Sequence, residues 1–155
     1  MAAVNHSKMT RPPLANRNSV RIIGGAWRGR RVRFPDDAEL RPTPDRVRET
    51  LFNWLQHAVA GARCLDLFAG SGSLGLEALS RGAIALVFVE QSQAAARSLG
   101  RELERLGGTL KSRVVEMGAS RFLRAAGEAY GKPFDVAFLD PPFGQNALAE
   151  FIPMI

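Results

Sequence analysis

LDLFAGSGSLGLEALSRGA, residues 65–83, runs an apolar strand pattern into a glycine-rich turn and then into a helical pattern closed by Gly82. Working outward from it, strand and helix signals alternate. Strands are expected at 63–68, 84–89, 112–116 and 134–139. Helices are expected at about 73–81, 92–106 and 119–129, with Gly107–Gly108 and then Gly131 and Pro133 as breaks. Short connections with helical crossovers imply an α/β domain with a parallel sheet covered on both faces. Asn146–Ile155 can begin a further helix, interrupted by Pro153. Four strands with one side unfinished leave an edge, so further strands are expected to be missing from this chain.

Residues 1–19 read as a disordered leader, polar with Pro12 and Pro13. The rest, 20–155, reads as one domain by length. VRIIGG at 20–25 and WRGRRVRFP at 27–35 suggest two short strands joined at Gly24–Gly25. In LRPTPDRVRETLFNWLQHAV, residues 40–59, the prolines hold the start out of a helix. Asp45 can cap a helix from about 46, with Val47, Leu51, Trp54, Leu55 and Ala58 as its apolar stripe.

The turn over residues 66–75 can hold an anionic group on its N–H groups and on the helix N-terminus. Gly70 and Gly72 permit tight backbone angles and close approach. Glycine spacing alone serves a pyrophosphate equally well. Asp66 discriminates: a carboxylate before the turn repels a pyrophosphate and welcomes an ammonium such as that of a methionine moiety. The donor expected is therefore S-adenosylmethionine. Glu90, 24 residues after Asp66, can accept hydrogen bonds from ribose hydroxyls. Gln91 and Ser92 can border an adenine or cap the next helix.

FLDPPF at 138–143 ends the next strand on the same rim, where open α/β sheets bind ligands. A flat exocyclic amine needs acceptors for its N–H groups and a clamp for its ring. Asp140 can accept one N–H, and the Pro141 carbonyl, stiffened by two prolines, can accept the other. Phe143 can stack on the base. Methyl transfer from a sulfonium needs alignment above all, and no metal.

Charge suggests where the amine resides. The net charge is +6, but residues 1–48 carry 11 Lys/Arg against 4 Asp/Glu, while 49–155 carry 10 against 11. The excess is confined to an arginine-rich arm interleaved with Trp27 and Phe34, a pattern suited to nucleic acid. Arg21, Trp27, Arg28, Arg30, Arg31 and Arg33 are the candidate RNA contacts. A single cysteine, Cys64, excludes an internal disulfide and reads as a buried strand residue. Two histidines make no metal site. No apolar run suits a membrane span or signal peptide, so a cytoplasmic monomer is the default expectation.

With RIIGGAWRGRR at 21–31, LRPTPDRVRETLFNWL at 40–55, LDLFAGSGSLGLEALSRGA, FVEQ at 88–91 and DPPF at 140–143 together, the chain resembles the bacterial 16S ribosomal RNA guanine-N2 methyltransferases of the RsmD type over about 20–146. The resemblance implies a Rossmann-like class I methyltransferase fold with a small N-terminal β-hairpin extension. It implies methylation of a guanine N2 in 16S rRNA within the small ribosomal subunit. Asp66, Phe68, Gly70, Ser71, Gly72, Glu90, Gln91, Gly118, Ala119 and Asp140 would hold the donor, with Thr43 and Arg46 closing over it. Asp140, Pro141 and Phe143 would hold the guanine, and the hairpin would grip rRNA. There are two departures. Gly118 stands where the family often places Asp or Asn, and the family continues through a helix and three strands that complete a seven-stranded sheet. An N6-adenine methyltransferase on DNA or RNA, or an inactive RNA-binding fragment, remain the alternatives.

Overall fold

The structure is a computed structural model. It describes residues 18–37, 40–129, 133–142 and 147–154, with the side chains of 126–129 and 147 left aside. The expected leader falls almost wholly outside the described residues, as does Phe143.

Two short strands, β1 (Ser19–Arg21) and β2 (Arg31–Arg33), pair antiparallel. Helices α1 (Asp45–Trp54) and α2 (Gln56–Val59) follow, and then the alternation begins. It runs β3 (Arg63–Asp66), α3 (Ser73–Ser80), β4 (Ala85–Glu90), α4 (Gln93–Leu106), β5 (Ser112–Glu116), α5 (Ala119–Ala129), β6 (Val136–Phe138) and α6 (Ala147–Phe151). The sheet order is β5-β4-β3-β6, all parallel. The alternating side chains of the central strands feed two cores. Cys64, Leu86, Phe88 and Phe138 pack with α1, α3, α4 and the hairpin. Leu65, Val89 and Val115 pack with Phe122 of α5 and Phe151 of α6. This double covering explains why the strands read as nearly continuous apolar runs.

Helix α3 is buried over all eight residues. A helix buried all round needs an unusually close fit, and glycine supplies it. A Cβ on Gly75 would lie 2.2 Å from the Phe88 ring. The hairpin covers the outer side of α3. A Cβ on Gly25, at φ +78°, would fall 1.9 Å from the Ser80 carbonyl oxygen, so the hairpin backbone rests directly on the C-terminal end of α3. There Ala26 N–H donates to Ser80 O (2.7 Å), a carbonyl that the helix end leaves open, and Trp27 N–H donates to Ser80 Oγ (2.9 Å).

The hairpin differs from expectation in its turn. Gly24–Gly25 is not a two-residue connection. The link runs from Ile22 to Arg30, closed by Ile22 N–H to Arg30 O (2.9 Å) and Gly29 N–H to Ile22 O (2.8 Å). Trp27 therefore lies in the connection and not in a strand. Docking on α3 overrides the local turn signal.

Helix α1 is rotated from the expected stripe. Val47 and Trp54 are 53% and 79% exposed, whereas Arg48 and Phe52 are fully buried. Glu77, fully buried in α3, is the reason. Arg48 Nη1 donates to Glu77 Oε2 (3.1 Å), Nη2 to Arg21 O (2.9 Å) and Nε to Thr43 O (3.0 Å). Glu77 also accepts Ile23 N–H (3.0 Å), Gly24 N–H (2.8 Å) and Arg81 Nε–H (2.9 Å). Burying the apolar stripe instead would take the fully buried Arg48 off that carboxylate and leave Arg81 as its charged partner among the described residues. Asp45 begins the helix rather than capping it, and its carboxylate pairs with Arg48 and Arg21.

Removing one member of a buried, hydrogen-bonded ion pair typically costs about 3–5 kcal/mol. Arg48→Met is expected to lower unfolding stability by that amount in urea melts and to expose the hairpin to limited proteolysis. A loss below about 1 kcal/mol would mean that the pair does not hold the hairpin.

Candidate functional site

The parallel register fixes the rim. Asp66 is opposite Phe88 of β4 and Phe138 of β6, so Glu90, at the end of β4, and Asp140, two residues past the end of β6, each lie two residues beyond it, one on either side of β3. A cleft of about 1390 Å³ opens at this carboxyl end of the sheet. Thr43, Asp66, Phe68, Gly70, Ser71, Glu90, Gln91, Gly118, Ala119, Asp140 and Pro141 all line it. The segments that carry them are far apart in sequence and meet here because β3 is central and its two neighbours are parallel to it.

Not every expected residue reaches the cleft. Gly72 is behind the turn. Its φ of +76° makes the N-cap of α3, and a Cβ there would meet Leu99 of α4 at 2.5 Å. It shapes the turn and admits α4 closely without facing the cavity. Arg46 is exposed and does not line the cleft, because the rotation of α1 that buries Arg48 turns it away. Phe143 lies outside the described residues.

Asp66 is 1% exposed. Its Oδ2 accepts Gly75 N–H at 3.0 Å, while Oδ1 is buried with no partner among the described residues. Burial pushes its pKa up to about 7. The Gly75 N–H opposes this, and the Asp140 and Glu90 carboxylates reinforce it. Glu90 braces the turn: Oε2 accepts Gly70 N–H (2.7 Å) and Oε1 accepts Ser92 N–H (2.8 Å). Each oxygen keeps a further lone pair for a hydroxyl. Asp140 Oδ2 accepts the Thr43 hydroxyl at 2.8 Å, across 97 residues of chain.

The cavity's chemistry fits the expected donor. An orphaned buried carboxyl oxygen suits an ammonium, Glu90 suits paired hydroxyls, and the space above Gly118, where a Cβ would meet only Gln91 Oε1 at 3.8 Å, admits a flat ring. Among the described residues no cluster of three potential metal ligands occurs, and no helix is long and apolar enough to cross a membrane. Cys64 is buried as expected, its thiol pushed up to about 11, first by burial and then by Asp135 and Asp66.

Several wall residues escaped the sequence reading. Leu40, Val47 and Arg41 line one side, and Met117, Arg121 and Phe151 the other. Phe151 could have been suspected from its apolar position in the final helix, where its ring meets Phe68 edge-on at 5.2 Å. On the arm, Arg21, Arg28, Arg30, Arg31 and Arg33 are all exposed. The aromatics there serve packing. Phe34 is buried in the core, and the Trp27 ring packs against it over Gly108. The Trp27 ring stays partly exposed.

Residues 20–155 match the model of the family described as conserved hypothetical protein 95. The ribosomal RNA small subunit methyltransferase D of Escherichia coli K12 is 46% identical over 150 residues, covering 95% of this chain and 72% of that protein. A solved structure of yhhF from Escherichia coli is 44% identical with a TM-score of 0.77, over 88% of this chain and 71% of that one. Another, from Haemophilus influenzae, is 42% identical with a TM-score of 0.71, over 88% and 72%.

Asp66 sets a pH dependence. A carboxyl whose folded pKa is raised binds a proton in the folded state that the unfolded chain has released. Its contribution is intact below about pH 4 and is lost as pH rises to about 7, on the order of 4 kcal/mol in all. Asp66→Asn should flatten thermal stability between pH 4 and 7 and melt above wild type at pH 8 without donor. Parallel profiles would show that Asp66 is not the group responsible.

Proposed function

Because this chain belongs to the conserved hypothetical protein 95 family, the RsmD-type methyltransferases, we propose that it transfers a methyl group from S-adenosylmethionine to the N2 of a guanine in 16S rRNA within the small ribosomal subunit. The observation that carries this reading is the convergence of Asp66, Glu90 and Asp140 on one cleft. The relative's name supplies the substrate class, and DPP at 140–142 supplies acceptors for a flat amine.

In this reading Asp66 takes the donor's ammonium, Glu90 its ribose, and Gly118 with Ala119 its adenine. The donor supplies an electrophilic methyl on a sulfonium. The protein's part is alignment. Asp140 and the Pro141 carbonyl fix the amine's two N–H groups, so that its nitrogen lone pair faces the reacting carbon. As the amine gains positive charge, the Asp140 carboxylate stabilises it and stands ready to accept the proton released. Phe143 is the candidate stacking residue. The exposed arginines of the hairpin bind rRNA phosphates.

The deciding experiment supplies labelled donor and small subunits lacking the modification, followed by nucleoside analysis. N2-methylguanine is expected. N6-methyladenine, or no product alongside donor binding, would overturn the substrate assignment. Asp140→Ala should cut turnover at least a hundredfold while changing donor affinity less than threefold by calorimetry. An equal loss of donor affinity would contradict its assignment to the amine. Replacing Arg28, Arg30 and Arg31 with Gln should weaken RNA binding and reduce the salt slope by about 2, since each phosphate left unneutralised on a single strand removes roughly 0.7. An unchanged slope would place the phosphates elsewhere.

A further inference from the structure

The LRPTPD segment does more than roof the cleft. Thr43 lies between Pro42 and Pro44. A residue before proline is confined to extended backbone, and each proline fixes its own φ, so the Thr43 backbone has little freedom. Its carbonyl is held by Nε of the fully buried Arg48 at 3.0 Å. Its hydroxyl donates to Asp140 Oδ2 at 2.8 Å. Arg48 in turn grips Glu77 and the Arg21 carbonyl, and Glu77 accepts the hairpin N–H groups of Ile23 and Gly24. Apart from the Arg48–Thr43 bond, which spans five residues, each link joins segments far apart in sequence, and most involve a charged partner.

We propose that Thr43 is a positioning residue for Asp140: its hydroxyl sets the carboxylate's orientation, and the buried Arg48–Glu77 pair under the hairpin sets Thr43. The role of Asp140 toward the amine rests on the function proposed above, but the Thr43–Asp140 coupling does not. An aspartate two residues past the end of a three-residue strand can rotate about two side-chain torsions. One fixed donor on Oδ2 removes much of that freedom and leaves the carboxylate's remaining lone pairs for an N–H group. This differs from the part that resemblance assigns Thr43, direct binding of the methyl donor. The two roles predict opposite effects. If Thr43 binds the methyl donor, removing its hydroxyl weakens donor binding. If Thr43 orients Asp140, the same change lowers turnover with donor bound.

The test uses Thr43→Val, which keeps the shape and removes the hydroxyl, and Thr43→Ser, which keeps the hydroxyl. Turnover on unmodified small subunits at saturating S-adenosylmethionine should fall about tenfold in T43V and less than threefold in T43S. The donor dissociation constant, by calorimetry, should stay within twofold in both. A T43V protein with weakened donor binding and normal turnover would overturn the proposal, as would a T43S protein as slow as T43V. Melting temperatures give a readout that needs no substrate. T43V should lower the melting temperature by roughly 2–4 °C in the wild-type background and by much less in an Asp140→Ala background. Equal shifts in both would refute the coupling. Coupling in the melts without methyl transfer by the wild type would leave the Thr43–Asp140 bond standing and remove only the substrate reading.

Discussion

A guanidinium and a carboxylate buried together at the junction of three elements hold the site in place. Taking Arg48 and Glu77 out of water is expensive, and their mutual attraction alone seldom repays it. Here the remaining polar atoms are also engaged. Arg48 reaches two backbone carbonyls and Asp45, and Glu77 takes two hairpin N–H groups and Arg81. Apolar replacements of both would leave those hairpin amides and carbonyls without partners. The pair is therefore a device of arrangement: it fixes the rotation of α1, seats the hairpin on α3 and anchors the segment that walls the cleft.

The sheet supplies the other half of the geometry. Parallel register places the ends of β3, β4 and β6 on one rim, and the chain ends each of them with or near an acid. Those acids have different surroundings. Asp66 is sealed beneath the turn, Glu90 is spent partly on bracing Gly70 and Ser92, and Asp140 is exposed and tied to Thr43. Three like side chains thus acquire a buried acid, a brace and a reachable acceptor through burial and hydrogen bonding alone.

Most of this was legible in the residues. Strand and helix alternation placed the sheet, since apolar runs of strand length with glycine breaks have few other solutions. Asp66, Glu90 and Asp140 were findable because ends of parallel strands share a rim. What escaped was tertiary. Periodicity put Val47 and Trp54 inward, because a stripe analysis has no means to bury an arginine. The lone Glu77 within LGLEALS was a signal, since a carboxylate in an otherwise apolar helix needs a partner. Gly72 read as a ligand glycine because spacing does not distinguish a residue that faces a cavity from one that admits a neighbouring helix. Phe34 stood out only as a neighbour of the arm's arginines, which mask the alternation that buries it with Val32 and Val20.

The charge layout bears on how a polyanion uses such a cleft. Carboxylates occupy the floor and the rim, with Asp66 deepest. Arg41, Arg121 and Arg124 are exposed along the walls, and the arginines of the hairpin lie outside. The tip of that hairpin sits on the C-terminal end of α3, about 12 Å along the helix from the glycine turn. Phosphates are attracted to the arginines and repelled from the floor. A base offers N–H donors to carboxylates and carries no charge. The field therefore favours a nucleotide held by its backbone outside with its base turned inward, at the cost of unstacking that base. Under the proposed function affinity and chemistry are separated in space: the arginine surface would supply salt-dependent attraction, and the acids would select what is small, flat and rich in donors.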